Sequence, residues 1–332
     1  MKSTIIADIG INHNGDIAIA RRMIDAAAEA KADYVKFQTF VPEKLISVPI
    51  LQHQEESGKT ANEDQLEILR RVALPEVDLY LLMDYCSSRG IGFMASPFDD
   101  ESIDLLQRFD INTWNIPSEQ ITDYPYLIKI AQTGKPVILS TGMSPFEEIG
   151  EALSVLTTNG VSKENITLLH CTTEYSTPYN EVYLDTINRL SDIFGVKTGY
   201  SDRTEGIAIP IAAATLGAQI IEKNFTLDRN MEGLNHKSSI EPEELKQMVT
   251  SIRAVESAIN CESRQFLSKE STSRTATRKS IVAATSICKG ELFSETNLTT
   301  KRPGIGISPM KWNEIIGKPA NKDYKPDEMI LL

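Results

Sequence analysis

Hydrophobic positions along this chain fall into two alternating rhythms. Short apolar or β-branched runs occupy 4–9, 34–39, 91–96, 113–117, 136–141, 166–171, 196–201 and 219–224, and amphipathic stretches follow them. A short, continuously apolar run reads as a strand buried on both faces, whereas apolar residues returning every three or four positions read as a helix. DIAIARRMIDAAAEAKA, EVDLYLLMDYCSSRG, FEEIGEALSVLTTNG and GIAIPIAAATLGA are such helices. Several carry glycine near their end, where a helix C-terminus favours it.

Eight strand-helix units in about 240 residues match the size of a (β/α)8 TIM barrel. A doubly wound open sheet is the alternative. It is disfavoured because GINHNG, after the first run, is too polar and wrongly spaced for a dinucleotide-binding turn. EPEELKQMVTSIRAVESAI predicts one more long helix, and the polar CESRQFLSKESTSRTATRK reads as a linker. SIVAAT, NLTTKR and EMILL, separated by KGE and RPGIG, predict a small β-rich domain. The expected division is a barrel at 1–262, a linker at 263–279 and the small domain at 280–332.

Charge narrows the ligands. With 34 Lys and Arg against 46 Asp and Glu, the formal charge of −12 repels nucleic acid and anionic lipid, so an anionic ligand needs a local basic pocket. The four cysteines, Cys86, Cys171, Cys261 and Cys288, show no paired spacing and fit a reducing cytoplasm. No leader peptide or membrane span is expected.

Barrels carry their chemistry at the C-terminal ends of the strands. Those ends supply Asp8, Asn12-His13-Asn14, Lys36, Gln38, Ser96, Asn115, Ser118, Ser140-Thr141, Thr173, Tyr175, Ser201-Asp202-Arg203 and Asn224. The set suits a phosphate or carboxylate, with Lys36 and Arg203 as cations and hydroxyls as donors. Lys36 lies mid-strand and needs a ligand or an acidic partner. Ser140 and Ser201 could equally cap helices. His13 could be catalytic or a hydrogen-bonding loop residue, His53 is expected to be solvated, and His170 reads as a satisfied core histidine.

Taken in order, ADIGINHNGD, YVKFQTF, ASPFDDESIDLL, IPSEQITDYP, KPVILSTGM, LLHCTTEYSTPY, GYSDRTEG, EKNFTLDRNMEG and KRPGIGISPM resemble the sialic acid synthase family, which includes N-acetylneuraminate and N,N'-diacetyllegionaminate synthases. The resemblance implies a barrel followed by an antifreeze-like (SAF, β-clip) domain, paired into a domain-swapped homodimer. It implies condensation of phosphoenolpyruvate with an N-acylated mannosamine-type sugar, aided by a divalent metal, manganese or magnesium. C3 of phosphoenolpyruvate attacks the open-chain aldehyde, water adds at C2, and phosphate leaves by C–O cleavage, giving a nine-carbon 2-keto acid. By matching positions, Lys36, Ser96, Ser118, Ser140 and Ser201 would hold phosphoenolpyruvate. Gln38, Thr173, Tyr175 and the small domain's Arg302 would hold the sugar, and Asp8 stands where the family has a catalytic glutamate.

Several positions depart from the family pattern. Its two metal-binding histidines are Arg203 and Asn224 here, which leaves the metal ligands unknown. Asn115 replaces a lysine, Glu119 and Gln120 replace a glycine and a glutamate, and Asn235 replaces an aspartate. Two readings stay open. One is a synthase with rearranged groups, drawing on Asp8, His13, Asp202 or His236. The other is a protein that binds sugar or phosphate in the same barrel with slow or no turnover.

Overall fold

The computed structural model describes residues 2–46, 65–259 and 268–331. His53 and Cys261 lie outside the described residues. The chain divides into two compact units, Met1–Asn260 and Cys261–Leu332.

The first unit is built on eight parallel strands: β1 (Thr4–Gly10), β2 (Tyr34–Thr39), β3 (Gly92–Pro97), β4 (Trp114–Ile116), β5 (Val137–Ser140), β6 (Ile166–Cys171), β7 (Lys197–Asp202) and β8 (Ile220–Asn224). Their order is β3-β2-β1-β8-β7-β6-β5-β4, so the sheet curls until β3 and β4 become neighbours. No backbone ladder joins that last pair among the described residues. Side chains span the gap instead, with Ser96 Oγ donating to Asn115 Oδ1 at 2.8 Å, and Tyr126 Oη, from the helix after β4, donates to the Pro97 carbonyl at 2.7 Å. The result is a nearly closed (β/α)8 barrel, the fold class expected from the sequence.

Side chains on a strand alternate between its faces, so each run has an outward and an inward set. Outward Ile5, Ala7, Ile9, Val35 and Phe37 pack with Ala20, Met23, Ile24 and Ala27 of the helix Ile17–Glu29. That helix starts at Asp16, whose carboxylate accepts from the Ala18 and Ile19 amides and so satisfies two of the free N–H groups at a helix start. Ile6, Met94, Ile138, Leu169 and Ile220 form a separate apolar cluster. Two residues further along the same strands stand Asp8, Ser96, Ser140, Cys171 and Glu222, where the apolar interior gives way to a polar cavity.

In the second unit, β9 (Ser280–Ala283) and β10 (Leu298–Lys301) pair antiparallel around Ile281, Phe293, Leu298, Ile315, Tyr324 and Ile330. One local expectation differs. The stretch read as linker contains a helix, Ser268–Thr277. Thr275 and Thr277 return their hydroxyls to the carbonyls of Ser271 and Ser273, and the Gly304 amide donates to the Thr275 carbonyl at 2.8 Å. Serine and threonine have weak helix propensity and hydroxyl back-bonding does not add to it, which is why local composition reads this stretch as linker.

Candidate active site

Strand register assembles the site. Asp8 on β1 stands level with Lys36 on β2 and with Asn224 on β8, while Glu222 on β8 stands level with Ser201 on β7. Lys36 Nζ lies 2.7 Å from Glu222 Oε2 and 3.1 Å from Asp8 Oδ2. The acidic partners that a mid-strand lysine demands are therefore these two carboxylates. Glu222 is fully buried, and Ser201 Oγ donates to its Oε1 at 2.7 Å while Asn115 Nδ2 donates to its Oε2 at 3.4 Å. Above this cluster, Arg203 donates from Nη1 to Asn224 Oδ1 at 2.8 Å and places Nη2 3.8 Å from Asp8 Oδ2 and 4.0 Å from Glu222 Oε1. Its guanidinium lies 5.4 Å from the Tyr175 ring centroid, against the ring's electron-rich face.

The protonation pattern follows from burial and these neighbours. For Glu222, burial opposes the charge, but Lys36 and Arg203 outweigh it and hold the carboxyl below its usual range. For Lys36, burial again opposes the charge, and Asp8 and Glu222 outweigh it and raise the pKa. Asp8 goes the other way. Burial lifts its pKa above the ordinary carboxylate range against the pull of Lys36, and Glu222 adds to the rise. Its Oδ1 is buried with no hydrogen-bond partner. The site thus holds two cations, one firm carboxylate, and one carboxyl with heightened affinity for a proton.

The cavity over these groups opens to solvent and, with that open space counted, spans about 570 Å³. Asp8, Lys36, Gln38, Ser96, Ser118, Ser140, Thr173 and Tyr175, eight of the residues singled out in the sequence, line it together with Arg203. Ser201 is not part of the wall. It lies beneath, 1% exposed, supporting Glu222. Ser118 Oγ accepts from the Gly142 amide at 2.9 Å. A side chain at Gly142 would come within 3.0 Å of that oxygen and 2.9 Å of Thr173, so glycine is what lets this loop close on the site. Glu119 lines the mouth, while Gln120 donates to the Phe98 carbonyl at 3.1 Å. Arg302 is an exposed residue of the second unit.

The substitute groups considered from the sequence are mostly engaged elsewhere. Asp202 accepts from Tyr200 Oη, Thr204 and Lys223 Nζ. His236 bonds Thr226 Oγ1 and Asn14 Oδ1, and Asn12 donates to the Phe225 carbonyl and to Ser239, so these residues tie the loops after β1 and β8 together. His13 accepts from the Gly15 amide through Nδ1, and burial pushes its pKa down to about 4. His170 bonds the Val182 carbonyl at 2.6 Å within the core. Only Asp8 reaches the cavity. Glu222 is the functional residue the sequence reading missed. Its signal was parity, because an inward Asn224 requires an inward residue two positions earlier on the same strand.

The residues at the two family histidine positions do not fit a divalent metal. Arginine has no lone pair to offer, and the one good ligand atom beside it, Asn224 Oδ1, already accepts from the guanidinium. Among the described residues, no group of three or more His, Cys, Asp or Glu side chains is placed to hold such an ion.

A nearly closed (β/α)8 barrel with a charged cavity at the C-terminal ends of its strands, followed by a small β-rich unit, defines a two-domain protein of the barrel-enzyme class. Comparison makes this specific: residues 23–264 match the NeuB family and residues 278–332 match the SAF domain, and the chain belongs to the NeuB family. It is 47% identical over 330 residues to the N,N'-diacetyllegionaminic acid synthase of Campylobacter jejuni, covering 99% of both chains. To the enzyme of the same name from Legionella pneumophila it is 37% identical over 321 residues, 96% of this chain and 90% of that one. A crystal structure of N-acetylneuraminic acid synthetase from Leptospira borgpetersenii, in complex with citrate, superposes with a TM-score of 0.71 at 31% identity, covering 82% of this chain and 90% of that one.

Proposed function

We propose that the protein is a phosphoenolpyruvate-dependent nonulosonate synthase. It condenses phosphoenolpyruvate, an N-acylated hexosamine-type sugar and one water to give a nine-carbon 2-keto acid and phosphate. The observation that carries this reading is the 47% identity to a diacetyllegionaminic acid synthase through both units of the chain. The acceptor we favour is accordingly a 2,4-diacetamido trideoxy hexose.

The cavity supports the reading chemically. Lys36 and Arg203 offer cationic donors to a phosphate and a carboxylate, with Ser96, Ser118 and Ser140 as neutral donors on the same wall. Ser201 acts from beneath, by fixing Glu222. Gln38, Thr173 and Tyr175 are the sugar-side groups. When C3 of phosphoenolpyruvate attacks the aldehyde, the aldehyde oxygen gains charge and needs a proton. Asp8, with its raised proton affinity, is the group placed to supply it. The family's metal has no step here, because the residues at its positions do not accommodate it. We further propose a cytoplasmic, domain-swapped homodimer in which Arg302 of one chain meets the N-acyl group of a sugar held by its partner.

A phosphate-release assay with phosphoenolpyruvate and three acceptors, N-acetylmannosamine, its 6-phosphate and the 2,4-diacetamido trideoxy hexose, tests the proposal. We expect turnover, fastest with the diacetamido sugar. Ligand-induced thermal stabilisation with no phosphate or keto acid from any of the three would establish a binding protein instead.

A further inference from the structure

We infer that the guanidinium of Arg203 is the resident cation of this site, standing where a divalent ion would otherwise sit and making anion binding independent of added metal. The choice of phosphoenolpyruvate as the anion rests on the function proposed above. The cation assignment itself rests on three features of the cavity.

The first is occupancy. Glu222 Oε2 and Asp8 Oδ2 face Lys36 Nζ at 2.7 and 3.1 Å, Glu222 Oε1 accepts from Ser201, and Asn224 Oδ1 accepts from Arg203 Nη1. Among these carboxylate and amide oxygens, only Asp8 Oδ1 remains without a partner. A hard divalent ion seeks about six oxygen ligands, and one free carboxylate oxygen does not provide them.

The second is charge. Two side-chain cations and two carboxylates already balance, and any proton taken up by Asp8 leaves the cluster positive. A divalent ion placed beside the guanidinium would meet like-charge repulsion twice that between two unit charges at the same separation. An anionic ligand meets attraction instead.

The third is free donor capacity. The guanidinium lines the cavity, is braced by Asn224 and the Tyr175 ring, and its Nη2 stands 3.8 Å or more from either carboxylate, beyond hydrogen-bond range. Those N–H groups remain available to a carboxylate or phosphate oxygen, and a planar guanidinium suits both.

The test uses the full chain, stripped with EDTA. Manganese is titrated while the electron paramagnetic resonance signal of the free ion is followed, and phosphoenolpyruvate affinity is measured by calorimetry with excess EDTA or excess manganese. We expect no stoichiometric tight manganese site and the same phosphoenolpyruvate affinity in both conditions. Arg203→Gln should weaken phosphoenolpyruvate binding by about tenfold or more, as loss of a charge-assisted contact does, with Arg203→Lys intermediate. The double variant Arg203→His with Asn224→His should gain a manganese site. One tightly bound manganese in the wild-type chain, or unchanged phosphoenolpyruvate affinity in a folded Arg203→Gln, would overturn the assignment. A wild-type chain that binds no phosphoenolpyruvate at all would speak against the proposed function, and the manganese titration would still decide the cation.

Discussion

Removing one carboxylate from the buried cluster tests the electrostatic account of the site directly. Glu222→Gln is nearly isosteric and keeps an oxygen for Ser201, but it deletes the negative charge 2.7 Å from Lys36. At that separation, an effective dielectric of about 20 gives an attraction of roughly 6 kcal/mol. Part of this is offset because glutamine no longer carries the cost of burying a charge. Breaking one member of a buried pair costs about 3–5 kcal/mol, and Asp8 Oδ2, 3.1 Å from the same ammonium, places the expected loss at the lower end. A loss of about 3 kcal/mol lowers the melting temperature of a unit this size by about 6–12 °C. Calorimetry on the wild type, Glu222→Gln, Lys36→Met and the double variant closes a cycle. Halving a buried pair costs more than replacing it whole, so the coupling energy should reach about 2 kcal/mol or more. If the two losses simply add, to within about 0.5 kcal/mol, the ion pair is not what holds these strands' side chains and the reasoning fails.

Three further outcomes can be measured. Asp8→Asn should lower kcat by about a hundredfold or more while phosphoenolpyruvate affinity changes only a few-fold, because the variant removes a proton donor; lost affinity at unchanged kcat would make Asp8 a binding residue only. The folded-state pKa of His13 is depressed to about 4 against 6.5, so the unfolded chain binds the extra proton, and stability present above pH 6.5 is lost as pH falls towards 4. Between pH 7 and 5 this amounts to about 2 kcal/mol, with His170 and His236 acting in the same direction, and His13→Gln should flatten the slope in chemical denaturation. Arg302→Ala should weaken sugar binding without altering the melting of the barrel; unchanged sugar affinity by titration calorimetry would count against the swapped arrangement.

Much of the barrel was legible because strand and helix periods are local properties of the backbone. The runs at 34–39 and 166–171 coincide with β2 and β6, and the others agree to within a few residues. The strand-end rule then gathered Asp8, Lys36, Gln38, Ser96, Ser118, Ser140, Thr173 and Tyr175 onto one cavity wall. It did not separate wall from support. Ser140 and Ser201 both stand at the ends of their strands, yet Ser140 lines the cavity while Ser201 lies beneath it under Glu222.

What the sequence by itself determined was the face each side chain takes, since alternation along a strand is imposed by covalent geometry. It placed a lysine, an arginine, two carboxylates and a ring of hydroxyls towards one interior. Which of those charges meet was decided only by closing the sheet. β1 lies between β2 and β8, so Lys36 and Glu222, far apart in the chain, converge on Asp8. The same closure sets Arg203 against Asn224. Coulomb and hydrogen-bond energies depend on separations of a few ångströms, and those separations belong to the tertiary structure.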